Sequence, residues 1–229
     1  MKAASAAKVK GRPREFDRDA ALRAAMKVFW ERGYEGTSIG DLTAALGIAK
    51  PSLYAAFGCK EALFLEAVAL YDRVEGAAAE DPLETAPTAR AAVEAMLRAN
   101  VDAYTRPGQP KGCMIVLAAL LGTAESRPVR VHLAELRSKG QAALEARLVR
   151  GVRDGDLPTT IETAAMASFY TTVLQGLSIQ ARDGASHHEM NRIVDSAMLA
   201  WETLTQTGSG PGATRHGPSR GKPSGRRRR

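Results

Sequence analysis

Residues 38–57 constrain this chain more than any others: Ser-Ile-Gly-Asp-Leu-Thr-Ala-Ala-Leu-Gly-Ile-Ala-Lys-Pro-Ser-Leu-Tyr-Ala-Ala-Phe. They read as a short helix, a glycine corner and a second short helix. Ser38 and Asp41 make a Ser-x-x-Asp helix start, and Ile39, Leu42 and Leu46 then share one face. Gly47 suits the left-handed conformation that ends a helix at a sharp corner, with Ile48 as an apolar plug. Pro51 fits the first turn of the next helix, where a missing N–H costs little. Leu53 and Phe57 give that helix a buried side, leaving Lys50, Ser52, Tyr54 and Ala55 elsewhere on it. A short helix exposing basic, hydroxyl and phenol groups fits a DNA major groove. A generic helical hairpin inside a bundle would carry the same pattern.

The flanks separate these readings. Phe16 to Phe29, Gly33-Tyr34-Glu35-Gly36-Thr37-Ser38, Lys50-Pro51-Ser52-Leu53-Tyr54-Ala55-Ala56-Phe57 and Lys60-Glu61-Ala62-Leu63 follow one another in order. From about Arg14 to Tyr71 the chain resembles the TetR family of bacterial transcriptional regulators. The rest resembles that family's second domain more weakly. The resemblance implies an all-α protein of about nine helices. A helix-turn-helix DNA-binding domain of three helices at 14–74 precedes a helical effector-binding and dimerisation domain at 82–206. It also implies a sequence-specific regulator: a homodimer that represses from a palindromic double-stranded operator until a small-molecule effector releases it.

Charge sits at the ends. The net charge is +7, yet residues 1–14 carry five Lys or Arg and residues 208–229 carry seven, with no acids in either. The stretch between them is therefore mildly acidic. A flexible basic arm at 1–13 and a disordered basic tail at 207–229 fit a phosphate-rich partner; a tail that only aids solubility is the other reading. The tails leave open an architectural or non-specific DNA-binding protein. Shape-only binding along any duplex would mark that alternative, and selectivity for a short palindrome would mark the regulator. Two cysteines make no disulfide framework. No apolar run is long enough to span a membrane and no signal peptide stands out, so the expected location is cytoplasmic. No P-loop, dinucleotide or nucleophile-elbow motif appears, so neither an enzyme nor a cofactor is expected.

Apolar spacing predicts helices at about 17–32, 38–46, 50–57, 60–76, 88–104, 112–122, 129–154, 160–183 and 186–205. A linker is expected at Asp81-Pro82 and Pro87. The resemblance assigns Lys50, Pro51, Ser52, Tyr54 and Ala55 to the face that meets bases and nearby phosphates. Their chemistry agrees: Lys50 can donate to guanine or phosphate, and Pro51 and Ala55 can pack on thymine methyls. Tyr54 could instead sit at the edge of the core. Thr37 and Ser38 at one helix start, and Lys60 at another, are candidate phosphate clamps; capping alone would also explain the first two.

Two positions depart from the family pattern. Ala49 stands where Ser or Thr often caps the reading helix, and Cys59 stands where Ser or Asp often precedes the fourth helix. A positive helix end and Lys60 beside Cys59 favour its thiolate, although a tolerated small residue explains it too. Cys113 opens the apolar sixth helix, and some relatives carry a cysteine near this place that responds to electrophiles or oxidants. The alternative is a small buried hydrophobe. His187-His188 point about 100° apart on a helix, and no metal site is expected. The resemblance implies that the last two helices pair across a two-fold axis, through Leu174, Leu177, Ile193, Ala197, Trp201 and Leu204. An intramolecular core is the alternative.

Overall fold

The computed structural model describes residues 17–206, which form ten α-helices and, among the described residues, no strand. The arm at 1–13, Phe16 and the tail at 207–229 lie outside the described residues.

Helix α1 (Arg18–Arg32) starts on Asp17, whose carboxylate accepts the N–H groups of Asp19 and Ala20 at 3.1 and 3.0 Å. Helix α2 (Ile39–Leu46) opens with a complete capping box. The Ser38 hydroxyl accepts the Asp41 N–H at 3.0 Å, and the Asp41 carboxylate accepts the Ser38 N–H at 2.8 Å. Gly47, at φ 66, ends α2 in the left-handed region. Helices α3 (Lys50–Phe57) and α4 (Lys60–Glu75) complete a head. Its core joins Phe29, Leu42, Leu53, Phe57 and Phe64. Phe64 takes the rings of Phe29 and Tyr34 edge-on, each at 5.0 Å between centroids. Full burial of each phenylalanine is worth about 1.5–3 kcal/mol.

The remaining helices are α5 (Ala77–Thr85), α6 (Ala89–Thr105), α7 (Met114–Leu117), α8 (Arg127–Arg153), α9 (Thr163–Arg182) and α10 (His187–Gln206). Met96, Leu97, Leu148, Tyr170, Val194 and Trp201 belong to a second core. Helix α8 serves both cores. Val129 and Leu133 near its start join the head, whereas Leu144 and Leu148 join the second core.

Two segments differ from the sequence expectation. The linker around Asp81-Pro82 is helix α5, with Pro82 inside it. A proline there forfeits a backbone bond, but tertiary contacts hold the helix end. Arg150 donates to the Leu83 and Glu84 carbonyls at 2.6 and 3.2 Å, and Arg147 donates to the Ala86 carbonyl at 3.2 Å. Conversely, the expected helix at 112–122 shrinks to the four residues of α7. Its backbone carbonyls are claimed from outside: Gly112 by the Trp30 indole, Ile115 by Arg137, and Ala118 by the Tyr34 N–H. Carbonyls engaged this way do not propagate a helix.

The same claims join head to body. The Trp30 indole N–H reaches the Gly112 carbonyl at 2.8 Å, and the Tyr34 N–H reaches that of Ala118 at 2.7 Å. Arg182, at the end of α9, donates to the Trp30 and Glu31 carbonyls at 2.7 and 2.8 Å, where the negative end of the α1 dipole favours a cation. Gly112 makes the approach possible. Its φ is 73, and a Cβ there would stand 2.5 Å from the Ser178 carbonyl oxygen. Gly112→Ala should therefore lower stability by at least about 1–3 kcal/mol from backbone strain alone, read as a lower denaturation midpoint. A wild-type midpoint would show that the 112–118 segment relaxes freely.

Candidate nucleic-acid interface and an interior cavity

Helix α3 places its residues by simple periodicity. Leu53 and Phe57 are buried in the head core, and Lys50, Pro51, Ser52, Tyr54 and Ala55 face outward. Tyr54 is 38% exposed and lies beneath the Lys50 ammonium, 5.8 Å from the ring centroid. That contact pre-positions a cation and a phenol on one surface. Ala49 makes no side-chain cap, which leaves the start of α3 with free N–H groups beside Lys50.

The three clamp candidates differ from one another. Thr37 is buried, at 1% exposure, and its hydroxyl donates to the Gly33 carbonyl at 2.6 Å. This corrects its assignment as a clamp: the side chain is spent inside the α1–α2 corner. Ser38 is exposed, and its hydroxyl works in the capping box. The Ser38 hydroxyl and N–H hold the Asp41 carboxyl below its usual range, with Arg32 adding to the effect at 2.5 Å. Lys60 is half-buried, with its ammonium 4.3 Å from the Tyr34 ring centroid. Burial lowers its pKa and nearby Glu35 opposes that shift. Glu35 in turn accepts the Thr123 N–H at 3.2 Å and is held low, first by Ser126 and then by Thr123.

The cysteines also differ. Cys59 is exposed and caps α4, its sulfur accepting the Ala62 N–H at 3.4 Å. Cys113 is half-buried at the start of α7, and its N–H donates to the Ser178 hydroxyl at 2.8 Å. The Tyr71 and Tyr104 phenols lie close to it and favour its thiolate. Burial nevertheless pushes the Cys113 thiol up, and pushes both phenols well above their ordinary value. Cys113 forms part of the wall of a cavity of about 410 Å³ between α4, α5, α6, α7, α8 and α9. Sequence reasoning missed Arg137 in that wall. The available signal was an arginine on the stripe of Leu133, Gly140 and Leu144, where an apolar residue would be the rule.

The proposed pairing face needs correction. Leu177, Ala197 and Trp201 are buried in the protomer's own second core, and Leu174 lines the cavity. Helices α9 and α10 use these apolar positions on each other and on α6. Leu204 is half-buried against the same core, and Ile193 remains exposed. The outer side of the two helices instead carries Phe169, Ile179, Ile193 and Leu199, each more than a third exposed. His187 hydrogen-bonds Asp102 at 2.7 Å across the surface.

Comparison with known proteins finds two family domains along the chain. The family described as "Bacterial regulatory proteins, tetR family" matches residues 21–67, and "Tetracyclin repressor-like, C-terminal domain" matches residues 89–202. The HTH-type transcriptional repressor ComR of Escherichia coli K12 is 32% identical over 200 residues, covering 87% of this chain and 95% of ComR. The HTH-type transcriptional repressor BdcR of the same organism is 30% identical over 201 residues, covering 86% of this chain and 93% of BdcR. Among solved structures, a cysteine mutant of the TetR family regulator CifR in complex with a 26-bp operator DNA is 48% identical. It covers 83% of this chain and 100% of that one, with a TM-score of 0.80.

The two thiols should separate by pH. N-ethylmaleimide followed by mass spectrometry should label exposed Cys59 first at neutral pH. Labelling of Cys113 should be slow there and should keep accelerating at pH values where a free thiol has levelled off, because only the thiolate attacks. Fast, pH-independent labelling of Cys113 at neutral pH would contradict its burial.

Proposed function

Because this chain belongs to the bacterial tetR family of regulatory proteins, we propose that it acts as a homodimeric repressor released from its operator by a small molecule in the cavity. It is a sequence-specific DNA-binding transcriptional regulator. In the proposal, the head at 14–74 reads DNA and the body at 82–206 senses and pairs. Lys50, Pro51, Ser52, Tyr54 and Ala55 meet base edges and nearby phosphates. Ser38 and Lys60 meet the backbone, with Lys60 leaving the Tyr34 ring to do so.

One observation carries the release step. Cys113, Ile115 and Val116 line the cavity, and the same short segment presents the Gly112 and Ala118 carbonyls to Trp30 and Tyr34 of the head. A ligand that favours another position of this segment changes the setting of the head, which is a coupling free energy between two sites. A reactive small molecule that entered the cavity would reach Cys113 by the same route. Modification of Cys59 would instead add bulk at the start of α4, beside the proposed backbone contact.

A single two-helix reader binds weakly, and a dimer reads two half-sites. The outer face of α9 and α10, with Phe169, Ile193 and Leu199, is the proposed pairing surface. It exposes large apolar side chains, Leu199 most of all.

Two experiments test this reading. An operator is first selected from a random duplex library. Lys50→Ala and Tyr54→Ala should each cost roughly 1–3 kcal/mol of specific binding and relax base preference, whereas Lys60→Ala should weaken all duplexes alike and reduce the salt slope by about 1. The reverse pattern would displace the reading face from α3. In sedimentation, Phe169→Arg and Leu199→Arg should yield folded monomers with little operator binding. Intact dimers from both variants would remove the α9–α10 face from the interface.

A further inference from the structure

We propose that the cavity takes a compact, mainly apolar molecule with one anionic head, a carboxylate or its equivalent, and that Arg137 pairs with that head. This rests on reading the cavity as the effector site. The volume of about 410 Å³ lies within the ~300–1,000 Å³ of typical small-molecule sites. Leu83, Met96, Val116, Leu136, Leu144 and Leu174 supply apolar wall, which suits a hydrocarbon or aromatic body.

Arg137 is the exception in that wall. One of its terminal nitrogens donates to the Ile115 carbonyl at 2.8 Å. Among the described residues no carboxylate pairs with it, whereas the buried Arg147 has Asp156 at 3.9 Å. A guanidinium carries five N–H donors and keeps its charge in a protein. Holding that charge half-buried without a counter-ion is costly, so an entering anion meets a site already arranged for it. The neighbouring Cys113 does not serve as the counter-ion, because burial keeps it in the neutral thiol form.

The two acids that line the cavity, Asp72 and Glu75, both come from the end of α4. Glu75 is already paired with Arg106 at 3.0 Å. The two acids set a polarity across the cavity: an anionic head is repelled from the α4 end and drawn to α8, where Lys139 adds a second positive charge. A cationic ligand would find Asp72 but would leave Arg137 unpaired and opposed. A neutral ligand would leave it unpaired.

The choice of Arg137 also links occupancy to the head. The group that would receive the anion is the one that holds Ile115, between Gly112 and Ala118, whose carbonyls accept from Trp30 and Tyr34. A carboxylate accepts two parallel N–H bonds from a guanidinium, and competition for the guanidinium would pull on the α7 segment.

The test uses the full chain with octanoate and benzoate as probes, and octanamide, benzamide and octylamine as matched controls. Calorimetric titration and thermal shift read binding, and fluorescence polarisation reads affinity for the selected operator. At least one carboxylate should bind about tenfold or more tightly than its amide, raise the melting temperature and weaken operator binding. Arg137→Gln should erase the preference for the acid. Arg137→Lys, which keeps the charge without the fork, should retain part of it and serves if the glutamine variant does not fold. The anionic assignment is overturned if neither carboxylate binds at millimolar concentration, if amides or octylamine bind as well, or if the preference survives in Arg137→Gln. Release of the operator by the amides or amine alone would keep the effector reading and remove the anion. Arg137-dependent carboxylate binding with unchanged operator affinity would do the opposite.

Discussion

The bond from the Trp30 indole to the Gly112 carbonyl, 2.8 Å long, ties the end of the first helix to the segment that leads into α7. Trp30 is buried and stacks edge-on against Tyr71 at 4.8 Å. Tyr71 and Cys113 both line the cavity. Core aromatics, a backbone carbonyl and the wall of the cavity therefore form one packed group. Leaving that carbonyl unpaired would cost about 1–3 kcal/mol, which is large against the net stability of a domain. Around α7 the head is thus held to the body by a few strong, directional bonds.

This explains why α7 is short. A longer helix at 112–122 would satisfy its own carbonyls and have none to offer the head. By staying irregular it exposes them, and Trp30, Tyr34 and Arg137 take them. Arg182 and Glu35 add ties on either side of it, one to the end of α1 and one to the loop before α8. Helix α8, with its start in the head core and its later turns in the second core, gives the junction a stiff member.

The electrostatic pattern follows the same division. On the head, charges are paired or stacked close to the surface: Arg32 with Asp41, Arg18 with Glu66, Lys50 and Lys60 over tyrosine rings. Exposed pairs of this kind contribute roughly 0–1 kcal/mol and are easily exchanged for a phosphate. Around the cavity, Cys113, Tyr71 and Tyr104 are held in their neutral forms by burial, and Arg137 keeps the charge.

The corner at 38–57 was legible from its residues because its determinants are local: a capping box, one left-handed glycine, a proline in a first turn and two apolar residues four apart. Each acts through the backbone within a turn of itself, so tertiary context had little to change. The same holds for the all-helical class. The positions of Leu174, Leu177, Ala197 and Trp201 were not legible, because helical spacing marks an apolar face without saying which neighbour covers it. One protomer's own packing had first claim on them. Helix α5 contradicted its proline for a similar reason, since Arg147 and Arg150 lie more than 60 residues away from the carbonyls they hold. Thr37 reads as an exposed hydroxyl until the fold turns it onto Gly33. The cavity and its unpaired Arg137 exist only once six helices are brought together, because a missing counter-ion is a property of surroundings and not of any residue.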